Sequence, residues 1–276
     1  MEITMAISFN SKPGFVLGAS TYNTNRNFTE NPLERLSSGK RINSAADDAS
    51  GIPVLSKLEA ALSEKEQAIR NAADGQGLLH TAEAGAAEVS NILNRMRELA
   101  VQAANGTNSI AAREALQSEA DQLTAEISRI ADSTLFNGLT PLSGTDVDVQ
   151  VGASTGENIN VTIEAVGTGD LQIDTGHVSF DTSANARDSI GAIDAALEKV
   201  SSVRSDIGAS VNRISSSIDH LSNAAKNTKV AAGRVSDADV EDETMRLMKS
   251  QILQQSSIAM LAQGNASKGM MLHLIS

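Results

Sequence analysis

The 276-residue sequence contains no cysteine, no tryptophan and only four prolines, and aromatic residues make up just 2% of it. Without cysteine the chain has no disulfide, no zinc–thiolate site and no thiol nucleophile. The scarcity of aromatic residues also deprives any core of the side chains that bury the most area each. We therefore expect something other than bulky core packing to stabilise the fold.

The sequence also has little positive charge and no long apolar run. Its 22 basic and 34 acidic residues give a net charge of −12, which makes it a poor candidate for binding nucleic acid through phosphates. No apolar run approaches the roughly 20 residues of a membrane span, so we expect no membrane insertion. Residues 1–10 lack a basic region followed by an apolar core, so we expect no cleaved signal peptide.

The few aromatic residues are unevenly placed. Four lie near the start of the chain and two lie much later: Phe9, Phe15, Tyr22 and Phe28, then Phe136 and Phe180. The stretches 29–135 and 181–276 contain most of the apolar periodicity and none of these rings. Their helices must therefore pack through aliphatic side chains.

What the sequence does contain is a seven-residue apolar repeat between Leu55 and Ala103. The repeat has two series: Leu79, Ala86, Leu93 and Ala100, and Ala82, Val89, Met96 and Ala103. It predicts one helix of about 55 residues, roughly 80 Å long. Capping residues at 47, 48 and 50 and a proline at 53 mark its start. Gly75 and Gly77 are expected to bend or split it, since each costs about 1 kcal/mol in a helix interior.

Two further helices are predicted. Residues 110–131 carry apolar side chains at spacings of three and four, and the loop 105–108 before them permits antiparallel packing. In the third helix apolar residues fall seven apart: Ile193, Val200, Ile207, Ile214 and Leu221. This repeat favours coiled-coil-like packing, with an ordinary amphipathic helix as the alternative.

Between the helices, residues 146–151 and 158–163 each alternate polar and apolar side chains around a glycine-containing turn, which predicts a β-hairpin. A hairpin of this size does not stand alone, so we expect it to pack on the helices. The predicted fold class is mainly α, with long antiparallel helices in a coiled-coil-like bundle and a small β-hairpin region. The ends, residues 1–44 and 240–276, carry too little regular apolar surface to fold alone.

We find no set of residues that predicts catalysis. Residues 152–156 match the G-x-S-x-G string of a nucleophile elbow, but that motif needs a helix after it, and a strand is predicted here. The four histidines are far apart in the sequence. Acidic residues at 47–48 and 237–243 lack the pattern of a calcium loop and suit helix starts instead. We therefore predict no enzymatic activity, no metal and no cofactor.

Several long motifs closely resemble those of bacterial flagellins. The matching segments, in chain order, are Glu34–Ala45, Asp47–Gly51, Arg95–Gln102, Phe136–Gly138, Gln251–Gln255 and Met260–Gln263. The resemblance implies a structural subunit that polymerises into the hollow helical filament of the bacterial flagellum, outside the cell. Because only residues 138–180 lie where larger relatives insert outer domains, the chain resembles a minimal flagellin.

The resemblance also implies a domain plan and a set of partners. Residues 1–44 and 236–276 would form the two parts of the inner filament-core domain, and residues 45–235 a helical rod domain with the hairpin at about 138–180. The implied partners are other copies of the chain, the filament cap and hook-junction proteins, and an export chaperone. That chaperone would hold the C-terminal segment before the unfolded chain passes through the flagellar export channel.

Ends that cannot bury a core alone are expected to order on assembly, when neighbouring subunits cover their apolar faces. The residues expected in this interface are Phe15, Tyr22, Leu33, Leu36, Ile252, Leu253, Leu261, Leu272 and Leu274. We likewise expect the rings from Phe9 to Phe28 to be exposed or disordered in the monomer and buried in the filament.

The family also implies a possible receptor site. In many flagellins an arginine and a leucine of the R-x-R-E-L segment, with a glutamate on the following helix, contact an animal Toll-like receptor. The matching positions are Arg95, Leu99 and Glu119. These positions also face neighbouring subunits in the family's filament, so the sequence leaves both interpretations open.

The sequence departs from the family pattern at both ends. Relatives usually begin at the position of Met5, which makes Met5 a candidate start. Pro32 removes a hydrogen bond to the Phe28 carbonyl and is expected to kink or break the first helix, which glycines at 14 and 18 also weaken. The C-terminal tail lacks the family's usual proline and final basic residue. The alternative functions are a hook–filament junction protein and a flagellin-like surface binding protein.

Overall fold

The structure, a computed structural model, describes residues 13–152, 156–174 and 176–275, without the side chains of 13–19, 27, 267–269 and 271–275. Its elements are α1 (Pro13–Ser38), α2 (Gly51–Ala103), α3 (Ile110–Ser133), a short 3-10 turn (Pro141–Ser143), β1 (Thr145–Gln150), β2 (Asn158–Ile163), α4 (Ser183–Ser236) and α5 (Val240–Ile275). Long helices and one small antiparallel hairpin confirm the predicted fold class.

The chain divides into two compact units. One joins the segment up to Ala60 to the segment from Thr228 onward, and we call it the terminal unit. The other, Ala61–Asn227, we call the central unit. The helices α2 and α4 contribute residues to both. The domain boundaries near residues 44 and 236 stay a prediction.

The central unit has a well-buried aliphatic core. Both predicted series of α2, from Leu79 to Ala103, are fully buried. They pack in one cluster with Ile127 of α3 and with Ile193 and Ile214 of α4. The predicted second and third helices are therefore confirmed as α3 and α4. Small Ala side chains alternate with Leu, Val and Met, which lets long helices approach closely without aromatic residues.

The glycines of α2 make room for neighbouring segments. The helix is one unbroken element of 53 residues, so the expected split at Gly75 and Gly77 is wrong. A Cβ at Gly75 would lie 2.7 Å from the Val149 side chain, and one at Gly77 would lie 3.3 Å from the Phe136 ring. The loss of helix propensity is offset by the close packing of the hairpin and its preceding loop.

The hairpin forms as predicted and packs by one face. Thr145 pairs with Ile163 and Gln150 with Asn158 in an antiparallel register. Along β2, every second residue is buried, as expected for a strand with one covered face. The strand β2 follows the G-x-S-x-G string, so this segment lacks the helix that a nucleophile elbow requires.

The segment between β2 and α4 is packed more closely than its composition suggests. It buries Val166, Leu171, Ile173, Val178 and Phe180. Gln117 of α3 accepts a hydrogen bond at Oε1 from the Phe180 N–H at 2.6 Å. This side chain thereby takes the place of a neighbouring strand for an otherwise irregular backbone.

In the terminal unit, α1 and α5 pack against each other over much of their length. Next to this helix pair, residues 39–41 lie beside residues 236–238. Arg41 N–H donates to the Ser236 carbonyl at 2.6 Å, and Ala238 N–H donates to the Gly39 carbonyl at 3.0 Å. Gly39 has φ +69°, the left-handed conformation that commonly follows a helix end.

Pro32 does not break α1, contrary to the expected effect. The helix continues through it to Ser38, and the Pro32 ring is buried in a cleft between α1 and α5. The ring costs α1 one N–H donor. Burial of an apolar ring against α5 offsets part of that cost.

Candidate assembly interface

The contact between α1 and α5 is a polar seam. Asn25 Nδ2 donates to Ser257 Oγ at 3.1 Å, and Arg35 Nη1 donates to Glu243 Oε1 at 3.0 Å. The two contacts run in opposite directions along the helices, so the pair is antiparallel. Asn25, Ser257 and Glu243 are all buried, and Glu243 is only 4% exposed.

The seam has the spacing of a coiled coil. Buried or half-buried positions alternate at intervals of three and four: Tyr22, Asn25, Thr29, Pro32 and Leu36 in α1, and Glu243, Leu247, Ser250, Gln254, Ser257 and Leu261 in α5. Such positions are normally apolar. Here many are polar, which explains why the apolar pattern of the sequence did not show the seam.

Most of the large apolar residues of these helices are exposed to solvent instead of buried in the seam. Phe28 is 61% exposed and Ile252 is 66% exposed. The other large exposed apolar residues of α1 and α5 among the described side chains are Leu33, Val240, Met245, Met248, Leu253, Ile258, Met260 and Met270. Isolated exposed apolar residues are ordinary, but a long apolar surface of this kind marks an interaction site.

The predicted interface residues divide between the two faces. Leu33, Ile252 and Leu253 are exposed, whereas Tyr22, Leu36 and Leu261 are half-buried at seam positions. The side chains of Phe15, Leu272 and Leu274 lie outside the described residues, as does Phe9 with its backbone. Of the four N-terminal rings, the structure thus describes an exposed Phe28 and a half-buried Tyr22.

Arg35 joins three segments of the terminal unit. Besides its bond to Glu243, its guanidinium lies 3.6 Å from Asp47 Oδ1 in the turn before α2. Asp47 Oδ2 in turn accepts from the Ser44 N–H at 2.8 Å. Hydrogen bonds from the Ser44 backbone, the Ser44 hydroxyl and the Asn43 backbone hold the pKa of Asp47 below its ordinary value.

The next residue, Asp48, caps α2. Its Oδ1 accepts from the Ser50 hydroxyl at 2.8 Å and from the Gly51 N–H at 2.8 Å. These bonds, the hydroxyl first, lower the pKa of Asp48. Asp48 therefore serves the helix start, as its position in the sequence predicted, whereas Asp47 bonds to the preceding turn.

The predicted receptor or inter-subunit site lies in the central unit. Arg95 donates to Glu119 Oε1 through Nε at 3.0 Å and through Nη2 at 2.8 Å, and through Nη1 to Glu98. The hydrogen bonds that Arg95 donates to Glu119 are the main reason that the pKa of Arg95 is raised. Arg95 is exposed and Glu119 is half-buried, but Leu99 is 1% exposed and belongs to the core beneath them.

Two other kinds of site are absent from the part of the chain that the structure describes. No helix in that part of the chain is long and apolar enough to cross a membrane. Within the same residues, no three His, Cys, Asp or Glu side chains are grouped so that they could hold a metal ion.

The sequence is similar to known protein families and to individual proteins. It matches the bacterial flagellin N-terminal helical region over residues 18–146 and the C-terminal helical region over residues 190–275. It is 41% identical to a flagellin of Halalkalibacterium halodurans, covering 91% of this chain and 93% of that one. It is 36% identical to a flagellar filament 33 kDa core protein of Treponema phagedenis, covering 92% and 94%.

A solved structure of Bacillus cereus flagellin is 35% identical and covers 59% of this chain and 94% of its own, with a TM-score of 0.49. Nothing in these comparisons favours a hook–filament junction protein or a surface binding protein. The small size of the chain fits a minimal form without large outer domains. On its two family regions and its near-full-length relatives, the chain belongs to the bacterial flagellin family.

Proposed function

We propose that this flagellin polymerises into the flagellar filament by covering the outward apolar residues of α1 and α5 with neighbouring copies of the chain. The proposal rests on the terminal unit, which buries polar side chains in its seam and exposes the apolar side chains of Phe28, Leu33 and Ile252. Because a relative is named as a flagellar filament core protein, we infer that this surface is covered by a second copy of the chain. The filament is extracellular, and flagellins are structural proteins rather than enzymes.

The free energies require many such residues to act together. Full burial of one large apolar side chain contributes about 1.5–3 kcal/mol, whereas association costs about 4–15 kcal/mol. A single residue therefore does not drive assembly, but a surface of many does. When contacts join different surfaces of successive copies without closing a ring, the product is an open helical polymer.

The test is polymerisation of purified protein on filament seeds, followed by sedimentation. Replacing Ile252 with Asn removes one exposed apolar side chain, so we expect the critical concentration to rise roughly tenfold. The matched control is Gln251→Asn, a change at the adjacent, exposed and already polar position. Equal critical concentrations for both variants, with monomers equally stable, would contradict the proposal.

The same surface suits the other partners expected of a flagellin. An export chaperone that covers the apolar residues of α5 would keep copies from associating before export. The filament cap and hook-junction proteins would meet the subunit through the surfaces that a neighbouring copy otherwise covers. A chaperone site there predicts that Ile252→Asn weakens binding of the export chaperone and that Gln251→Asn does not.

For Arg95 and Glu119 we propose an inter-subunit contact, with recognition by an animal Toll-like receptor as the second candidate. Both side chains are about half accessible to solvent and are held in one geometry by three hydrogen bonds. They form a pre-formed polar surface suited to either partner. Leu99 would act from beneath by fixing the position of α2. Its burial does not support direct contact with a partner.

An Arg95→Ala variant separates these two roles. Impaired polymerisation with unchanged activation of receptor-bearing cells supports the inter-subunit contact. Impaired activation by monomer supports the receptor site. Arg129→Ala is the matched control, because Arg129 forms an exposed ion pair with Glu126 on the neighbouring helix α3. If Arg95→Ala matches this control in both assays, neither role holds.

A further inference from the structure

The polar seam of the terminal unit is not the arrangement that would stabilise the fold most. Glu243 is buried, yet within the described residues its Oε2 atom has no hydrogen-bond partner. Taking a carboxylate and a guanidinium out of water costs several kcal/mol per ion, and well-packed apolar residues often serve stability as well or better. A seam built for strength would hold Leu or Ile at these positions.

Polar groups at seam positions serve alignment better than strength. An Asn at a single core position of a coiled coil fixes register, because a slipped pairing leaves its amide buried without a partner. Asn25 occupies such a position and bonds to Ser257. Ten residues further along α1, Arg35 bonds to Glu243 and also reaches Asp47 outside both helices.

Without these contacts the seam would specify register weakly. The α5 positions that are buried one heptad apart are Glu243, Ser250 and Ser257, and two of the three are serines. A shift of one heptad, about 10.5 Å along the axis, would place Asn25 against Ser250 in one direction and against Gly264 in the other. Such a shift would place Arg35 and Glu243 out of each other's reach, which costs far more.

We propose that the Arg35–Glu243 ion pair, supported by the Asn25–Ser257 hydrogen bond, fixes the register of α1 against α5. This register in turn determines which residues of α1 and α5 lie side by side on the outward assembly surface. Phe28 of α1 and Leu253 of α5 line the same cleft of about 570 Å³, and a slip of one heptad separates them. The last step rests on the proposed function, because a composite surface matters only where neighbouring copies cover it.

Arg35 and Glu243 are positioning residues in this proposal. They lie on the walls of the cleft, but their effect on assembly comes from how they align the two helices. Apolar replacement of both should therefore preserve pairing and lose alignment, an outcome that a merely stabilising pair would not give.

The absence of cysteine makes disulfide trapping in the full chain a clean test of register. Asn25→Cys is combined with a cysteine at Ser257, the native partner, or at Ser250 or Gly264, one heptad to either side. In these parents, with Arg35 and Glu243 intact, we expect the 25–257 disulfide to exceed each displaced one at least about tenfold. Adding Arg35→Met and Glu243→Met should bring the three yields to within about twofold of one another, with helix content by circular dichroism unchanged.

Two further variants complete the test. Arg26→Met with Glu30→Met is the matched control, because it removes an exposed ion pair within α1 and should leave the preference for 257 intact. Glu243→Gln keeps the side-chain shape and folds even if the double replacement does not, and should reduce the preference about threefold. If both Arg35/Glu243 variants keep the parent preference, or if the parent itself shows none, the proposal is wrong.

Polymerisation of the same proteins separates this inference from the proposed function. Loss of register with slower polymerisation of Arg35→Met/Glu243→Met, but not of the control, supports both. A selective parent that does not polymerise on seeds contradicts the proposed function and leaves the register assignment standing. A parent that polymerises without register selectivity contradicts the register assignment alone.

Discussion

The central and terminal units use the same helical spacing in opposite ways. In the central unit, seam positions such as Leu93 and Ile214 are apolar and fully buried. In the terminal unit, seam positions such as Asn25 and Glu243 are polar, and the apolar Ile252 is in solvent. The central unit buries its apolar side chains within a single chain, whereas the terminal unit leaves apolar side chains exposed for a neighbouring copy to cover. Heptad spacing alone therefore does not tell where a helix keeps its apolar side chains.

The largest expected effect is a core truncation that affects only the central unit. Leu93→Ala should lower the free energy of monomer unfolding by about 2–5 kcal/mol, because it leaves a cavity in a closely packed cluster. Leu33→Ala, on the exposed face of α1, should lower it by no more than about 0.5 kcal/mol. Urea unfolding followed by circular dichroism measures both. Similar losses for the two would erase the distinction between the units.

A smaller effect should distinguish packed from open glycines within the central unit. Gly75→Ala places a Cβ 2.7 Å from Val149, so overpacking should lower the free energy of unfolding by about 1–3 kcal/mol. Gly208 of α4 has nothing within 4 Å of its would-be Cβ, so Gly208→Ala should raise it by about 0.5–1 kcal/mol. Thermal unfolding of the two variants shows whether each substitution lowers or raises the stability. A stabilising Gly75→Ala would mean that the hairpin does not press on α2 there.

The smallest effect concerns acid stability at the turn before α2. Because hydrogen bonds lower the folded-state pKa of Asp48 below 3.8, this carboxylate stabilises the fold above its unfolded-state pKa. That contribution is lost as the pH falls through the lower, folded-state pKa. Asp48→Asn keeps a capping oxygen but does not titrate, so its unfolding free energy should fall less steeply below about pH 4. If the unfolding free energies of the two proteins fall in parallel with pH, Asp48 does not contribute to the loss of stability in acid.

The sequence allowed most of the central unit to be predicted, for an identifiable reason. Long apolar repeats such as Leu79–Ala103, and the alternation in residues 158–163, are direct consequences of burying one face. Gly75 was misread because helix propensity reveals nothing of the hairpin that packs on it. The packing of residues 164–182 was missed because isolated Val and Ile side chains in an irregular segment have no period, and the bond from Phe180 to Gln117 spans distant parts of the chain.

The terminal unit was harder to predict. Leu33, Ile252 and Leu253 were predicted to be interface residues mostly through family resemblance, and the structure shows them exposed. The seam was missed because Asn25, Ser250 and Ser257 read as ordinary surface residues of a polar helix. Pro32 was wrongly expected to break α1, since its burial against α5 depends on tertiary packing that local rules do not include.

The central claim is that the outward face of α5 is free in one chain and covered in the filament, while the seam is closed in both. Because the sequence has no cysteine, thiol labelling of single-cysteine variants at Ile252 and Ser257 measures this directly. We predict rapid labelling at 252 in monomer, at least about tenfold slower labelling there in sedimented filaments, and slow labelling at 257 in both. Labelling at 252 that is equally fast in monomer and filament would contradict the account.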